Sequence, residues 1–371
     1  MLSDRRGDRH LNSGLKIVAW ETTRRCVLHC RHCRGAARDE DYAGELSTAE
    51  CLRVVDAIAA FATPMLILTG GEPMTRPDIY DIARYATDKG LRVAMAPCGH
   101  LITAATARQI KNAGVKAISI SIDGATSESH DAFRGVPGAF ARTMQGLEHA
   151  RAAGIPFQIN TTVTKLNLSE LPMILSKAIA LGAIAFDVFF LVPTGRGAAL
   201  AGLEITPDEY ERALEWIART AEDAPIRVRT TCAPHYARVV RQLGLGRRHA
   251  QEGHPGAAAG AAQADGAARG QASGCMAGRG FIFISHTGLV QPCGFFDVAC
   301  GDLRAEGFNL AGIYRESTVF TELRTPDGYE GKCGRCEYKV VCGGCRARAL
   351  AKTGSYLAEE PSCAYQPGGG G

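Results

Sequence analysis

The 371-residue sequence predicts an α/β protein, a partial (β/α)6 TIM-like barrel followed by a small cysteine-rich C-terminal domain. Three observations lead there. Short apolar segments alternate with helix-like ones from residue 15 to about 226, and Gly90, Gly114 and Gly154 punctuate the returns from helix to strand. Composition then collapses to glycine and alanine over 246–274, with no large apolar residue to offset the entropy of ordering. Beyond it, 275–367 carries regularly spaced cysteines, the kind of staple a small domain gains from. The expected organisation is an N-terminal extension (1–14), a barrel (15–245), a linker or mobile loop (246–274), a metal-stapled domain (275–367) and a frayed glycine tail (368–371).

Taken in order, a strand-like run at 15–20 feeds a loop holding Cys26, Cys30 and Cys33. Thiolates suit iron-sulfur clusters or zinc, and a closed structural site of either kind wants four protein ligands. This loop offers three, which leaves one metal corner open and favours a chemically active 4Fe-4S cluster. A zinc site completed by His29 or His32, or three free cysteines, are the competing readings. Ser47 and Glu50 form a capping box that opens a helix running to residue 61. A strand at 65–68 ends in Thr69-Gly-Gly-Glu-Pro73, whose glycines permit close backbone approach and whose carboxylate suits a ligand ammonium. Helices are expected at 77–89, 103–113, 138–153, 168–181 and 207–221. Strands are expected at 91–96, 115–122, 155–163 and 185–192. About six units suit an incomplete barrel, whose chemistry sits at the C-terminal strand ends.

Composition bounds the function. Hydrophobic residues make up 46% and charged residues 22%, ordinary for a soluble globular protein. A formal charge of +4 without a long basic run does not indicate nucleic acid. No apolar run is long enough to span a bilayer, and the polar N-terminus is unlike a signal peptide. A cytoplasmic protein is expected, and there fourteen cysteines argue for metal ligation over disulfides. Cys51 and Cys98 read as small core or near-site residues, and Cys232 as structural.

The Cys-x3-Cys-x2-Cys loop followed by Gly-Gly-Glu resembles the radical S-adenosylmethionine (SAM) enzymes over residue 15 to about 226. The resemblance implies that Cys26, Cys30 and Cys33 hold a 4Fe-4S cluster whose open iron binds SAM. It implies cofactor contacts at Gly70, Gly71 and Glu72, and at Ser121, Asp123 and Asn160 on later strands. Val27 and Cys98 depart from the family, where asparagine is common at both places. The spacing Cys275-x12-Gly288-x4-Cys293, then Cys333-x2-Cys336-x5-Cys342-x2-Cys345 and Cys363, resembles the SPASM domain, which implies one or two auxiliary 4Fe-4S clusters. By that analogy Cys333, Cys336, Cys342 and Cys363 close one cluster. Cys275, Cys293 and Cys345 contribute to another, whose fourth ligand is Cys300 or the substrate. A four-cysteine zinc ribbon is the competing reading.

Connecting stretches such as Trp20-Glu-Thr-Thr-Arg-Arg-Cys26, Ser129-His-Asp-Ala-Phe-Arg-Gly135 and Phe189-Phe-Leu-Val-Pro-Thr-Gly-Arg196 resemble the heme b synthases of the siroheme-dependent pathway. Those enzymes decarboxylate two propionates of Fe-coproporphyrin III to vinyl groups. The resemblance implies an iron porphyrin substrate and a reductant such as flavodoxin or ferredoxin. Arg34, Arg134 and Arg196 are the candidate carboxylate ligands, because guanidinium groups bind carboxylates bidentately. The enzyme alternatives are a related tetrapyrrole enzyme of the siroheme or heme d1 routes and a SPASM maturase acting on a peptide. The non-enzymatic alternative is an electron-transfer or zinc-binding regulator.

Overall fold

A computed structural model describes residues 14–245 and 274–368. The expected N-terminal extension, linker and glycine tail lie outside these residues except for Gly14, Gly274 and Gly368. One ten-stranded sheet organises the described residues, in the order β10-β9-β8-β1-β2-β3-β4-β5-β6-β7. Its strands are β1 (Ile17–Thr23), β2 (Met65–Gly70), β3 (Arg92–Met95), β4 (Ala117–Ser121), β5 (Phe157–Val163), β6 (Ala185–Phe190), β7 (Arg227–Thr231), β8 (Phe281–Ile284), β9 (Leu289–Gln291) and β10 (Gly301–Asp302).

From β1 to β7 every neighbouring pair is parallel, with helices as crossovers. The helices start where the sequence says they should. Ser47, Thr103 and Thr206 each accept a hydrogen bond from the residue three further on, in reciprocal capping boxes. Gly182 ends the helix Leu171–Leu181 in a left-handed conformation, which glycine adopts without steric cost. The helices bury one face against the sheet, so that Val54, Ile58, Ile82, Ile110, Ile174 and Leu214 share a core with Val18, Leu66, Val93, Ile118, Ile159 and Val188.

Several elements depart from the expectation. A helix, Ser127–Arg134, stands where no element was expected, and its residues are largely polar. A seventh parallel strand, β7, follows the helix Pro207–Asp223. Beyond residue 274 the chain holds helices at Leu310–Glu316, Thr318–Arg324 and Arg346–Thr353. The larger departure is in topology. The first strand of the C-terminal segment, β8, pairs parallel with β1, Ile17 opposite Phe281 and Trp20 opposite Ile284, so the sheet runs unbroken from barrel to C-terminal segment.

Candidate metal centres

The cysteine loop leaves the C-terminal end of β1 and is held from three sides. Below it, the Gly-Gly-Glu turn donates Gly71 N–H to Thr23 O (2.9 Å) and Glu72 N–H to Arg25 O (2.8 Å). The fit is close enough that a Cβ on Gly71 would lie 2.4 Å from the carbonyl oxygens of both Arg24 and Arg25. From the loop after β6, Arg196 donates Nε–H to Cys30 O (2.9 Å) and Nη1–H to Ala37 O (2.7 Å). From the helix Ser127–Arg134, Arg134 reaches Cys30 Sγ at 3.5 Å. Cys26, Leu28 and Ala37 form a small apolar cluster with Cys30, Cys33, Cys98 and Val136 packed on it.

These thiols fit a positively charged metal body. Burial pushes the Cys26 thiol up to about 12, and Glu72, Cys30 and Cys33 add to the rise. Burial also raises Cys30, against the pull of Arg134. Cationic iron offsets that cost, and Leu28 N–H, 3.4 Å from Cys26 Sγ, is placed to stabilise a ligating sulfur. Among the described residues no three His, Cys, Asp or Glu side chains meet closely enough to hold one ion.

The other expected cofactor residues divide. Ser121 and Asn160 are register partners on β4 and β5, both half-buried on the face turned away from the helices. Glu72 is wholly buried, and its carboxylate accepts from Met74 N–H (3.0 Å) and Cys98 N–H (2.6 Å), while burial raises its pKa. Asp123 is also wholly buried. Its carboxylate accepts from Thr162 N–H (2.8 Å) and from Arg134 Nε–H (2.9 Å), and Arg134 foremost keeps it ionised despite burial. The structure thus makes Asp123 the anchor of Arg134, and Glu72 a brace under the cysteine loop.

All three candidate arginines border that loop. Arg134 is spent on Asp123 and Cys30. Arg34 stacks over Phe283 (4.3 Å to the ring centroid), donates to Gly294 O (3.3 Å) and pairs with Glu21 (2.9 Å). Arg196 keeps one buried nitrogen, Nη2, without a protein partner. Sequence reasoning missed Glu21, which lies 1% exposed between Arg34, Arg24 (3.1 Å) and His286 Nδ1 (2.8 Å). Burial works against its ionisation, but Arg34 and His286 outweigh it and bring its pKa down to about 2. This knot ties β1, the cysteine loop and the C-terminal segment together.

The C-terminal cysteines form two groups. Cys333, Cys336, Cys342 and Cys363 line one cavity together with Arg238, Lys332 and Lys339. A 4Fe-4S cluster with four thiolates carries about −2, so a cationic lining fits it. Backbone N–H groups point at these sulfurs, Tyr338 to Cys336 (3.4 Å), Gly344 to Cys342 (3.5 Å) and Glu360 to Cys333 (3.3 Å). In the second group Cys275, Cys293 and Cys345 lie within electrostatic reach of one another, and Cys232 joins them. A hydrogen bond between Cys232 and Cys345 draws Cys345 down to about 7 and raises Cys232.

Cys232 follows β7 directly and sits at φ 60°, a left-handed conformation that costs a non-glycine residue energy. Its carbonyl is clamped by Tyr210 Oη–H (2.8 Å) and Arg348 Nη2–H (3.1 Å). Cys300 lies apart, beside Ser317 and Arg324, and so does not complete this group. The available signal for Cys232 was its place at a strand end, and it went unused because β7 itself was not recognised.

A model of the radical SAM superfamily matches residues 20–178. An AdoMet-dependent heme synthase of Oleidesulfovibrio alaskensis is 48% identical over 352 residues, covering 95% of this chain and 88% of that protein. One of Methanosarcina barkeri is 47% identical over 355 residues, covering 95% and 97%. Among solved structures, Streptococcus suis SuiB bound to its precursor peptide SuiA matches with a TM-score of 0.71 at 18% identity, over 96% of this chain and 78% of that one, a likeness of fold alone. Nearly half of the residues being identical along almost the full length, the chain belongs to the radical SAM superfamily and, within it, to the family of the AdoMet-dependent heme synthases.

Proposed function

We propose that this protein makes heme b from Fe-coproporphyrin III by oxidative decarboxylation of two propionates to vinyl groups. The observation that carries the reading is the 48% identity to a heme synthase along 95% of the chain. Each propionate loses one β-hydrogen atom, one carbon dioxide and one electron. Cys26, Cys30 and Cys33 would hold a 4Fe-4S cluster, which with bound SAM would supply the radical chemistry that removes the hydrogen.

The tasks of the chain's own residues are binding, orientation and exclusion of water. Ser121 and Asn160 present polar groups to the cofactor, and the Gly70-Gly71 backbone supports it from below. Arg196 Nη2 and the outer face of Arg34 are the donors placed to take a propionate. Arg134 contributes by holding the loop. Cys333, Cys336, Cys342 and Cys363 would hold one auxiliary 4Fe-4S cluster and Cys232, Cys275, Cys293 and Cys345 a second, and these would supply an acceptor for the surplus electrons. All fourteen cysteines are free of disulfides, in keeping with a reducing cytoplasm and a flavodoxin or ferredoxin as reductant. No described helix is long and apolar enough to cross a membrane.

The test is anaerobic incubation of the reconstituted protein with SAM, dithionite and Fe-coproporphyrin III. Mass spectrometry is expected to find heme b through two successive losses of a formic-acid equivalent. Unchanged porphyrin beside abundant 5′-deoxyadenosine would keep the radical chemistry and discard the substrate, as expected of a peptide maturase. For the ligand partition, Cys232→Ala is expected to lose about four iron atoms per chain, and Cys300→Ala none. Equal iron in both variants sinks the assignment of Cys232.

A further inference from the structure

His235 and Arg238 belong to the barrel half of the chain, at the start of the short helix Tyr236–Gln242, yet both line the cavity of Cys333, Cys336, Cys342 and Cys363. Neither fits there as an ordinary core residue. His235 is 1% exposed, and neither of its ring nitrogens has a protein partner. Its ring is fixed edge-on to Tyr210 at 4.9 Å, so it is not free to turn out to water. Arg238 is 2% exposed. It spends Nη1 and Nη2 on Glu211 (2.7 and 2.6 Å), stacks over Tyr365 at 4.8 Å, and leaves Nε–H without a partner. A buried donor without an acceptor is costly, and two beside one cavity call for an acceptor inside it. Bridging sulfides and thiolates of a cluster are such acceptors.

Resting on the proposed ligation of this cavity, we propose that His235 and Arg238 donate N–H hydrogen bonds to the cluster held there and set its reduction potential. Donors to cluster sulfur stabilise the reduced, more negative state and so raise the potential. The second cysteine group also has guanidinium groups in reach, Arg348 at Cys232 and Cys345, Arg346 at Cys275 and Arg34 at Cys293, and Arg348 is committed to Glu360 and to the carbonyls of Leu191 and Cys232. His235 and Arg238 are positioning residues in this scheme and touch no substrate.

The test uses full-length protein carrying Cys26→Ala, Cys30→Ala and Cys33→Ala, so that only the auxiliary clusters remain, with neither SAM nor porphyrin present. In a redox titration followed by electron paramagnetic resonance, His235→Phe is expected to lower the potential of one cluster and leave the other unchanged. His235→Gln, which restores an N–H, should bring it back towards the starting value. Equal potentials with and without the N–H, or a glutamine variant as low as the phenylalanine one, overturn the proposal. Should the phenylalanine variant fail to load iron, the parent protein labelled with 15N-histidine decides. A weak, non-ligand nitrogen coupling on a reduced cluster is expected, and its absence is equally fatal. No step here needs porphyrin, so a wrong substrate leaves the result intact, and a wrong potential leaves the substrate assay intact.

Discussion

Replacing Cys30 with alanine is expected to reduce 5′-deoxyadenosine formation to background and to remove about four iron atoms per chain while the auxiliary signals persist. The size of the effect follows from what converges on this residue. Its sulfur faces Arg134 at 3.5 Å, and its carbonyl takes Arg196 Nε–H at 2.9 Å, so ligand and scaffold meet in one place. Alanine keeps the carbonyl and the fold around it, which makes the loss one of metal rather than of structure. Cys98→Ala is the matched control. Cys98 packs on the same apolar cluster as Cys30 and Cys33; alanine removes the contact of its thiol with Glu72 but retains the backbone hydrogen bond to Glu72 at 2.6 Å. Full iron content and SAM cleavage are expected there. An iron loss in Cys98→Ala equal to that in Cys30→Ala would show that the loop has a fourth ligand and no open iron.

Gly71→Ala is expected to be nearly as damaging by a different route. Its Cβ would fall 2.4 Å from two carbonyl oxygens of the cysteine loop, and both belong to backbone that Thr23, Gly71 and Glu72 hold in place. Relief requires the turn and the loop to separate, at a cost of about 3 kcal/mol or more. The hydrogen bonds from Gly71 and Glu72 then lengthen together, and the thiols lose their spacing. Calorimetry should show a fall in Tm of several degrees together with at least a tenfold weaker SAM affinity. Gly202→Ala, where an added Cβ meets nothing within 4 Å, should leave both within error. Equal behaviour of the two variants would refute the role given to the turn.

How far each feature was legible depended on whether its cause was local. Ser47 and Glu50 lie three residues apart, and their capping box could be read directly. The helix Ser127–Arg134 carried the same kind of signal, with Thr126 and Ser129 in reciprocal hydrogen bonds. It was passed over because its apolar residues are too few to show a helical period. Cys26, Cys30 and Cys33 were legible because all three ligands sit on one loop. Cys232 was not, because its partners Cys275, Cys293 and Cys345 come from residues at least 43 positions away. The burial of Asp123 was equally hidden. A strand-end carboxylate looks the same in a sequence whether or not it also holds an arginine, as Asp123 holds Arg134 eleven residues later. The pairing of β8 with β1 spans more than 260 residues and has no local signature.

That last pairing changes what β1 is. In a self-contained partial barrel its run Ile17-Val-Ala-Trp20 would form an open margin with unpaired backbone groups. Here β2 covers one side and β8 the other, and Val18 and Trp20 are wholly buried. A barrel fragment ending at residue 245 therefore exposes a flat, apolar strand edge, the template on which chains stack and aggregate. The C-terminal segment thus serves the barrel as a chaperone-like cover as well as a seat for clusters. Exchanging it for that of another protein would require matching the strand as well as the cysteines.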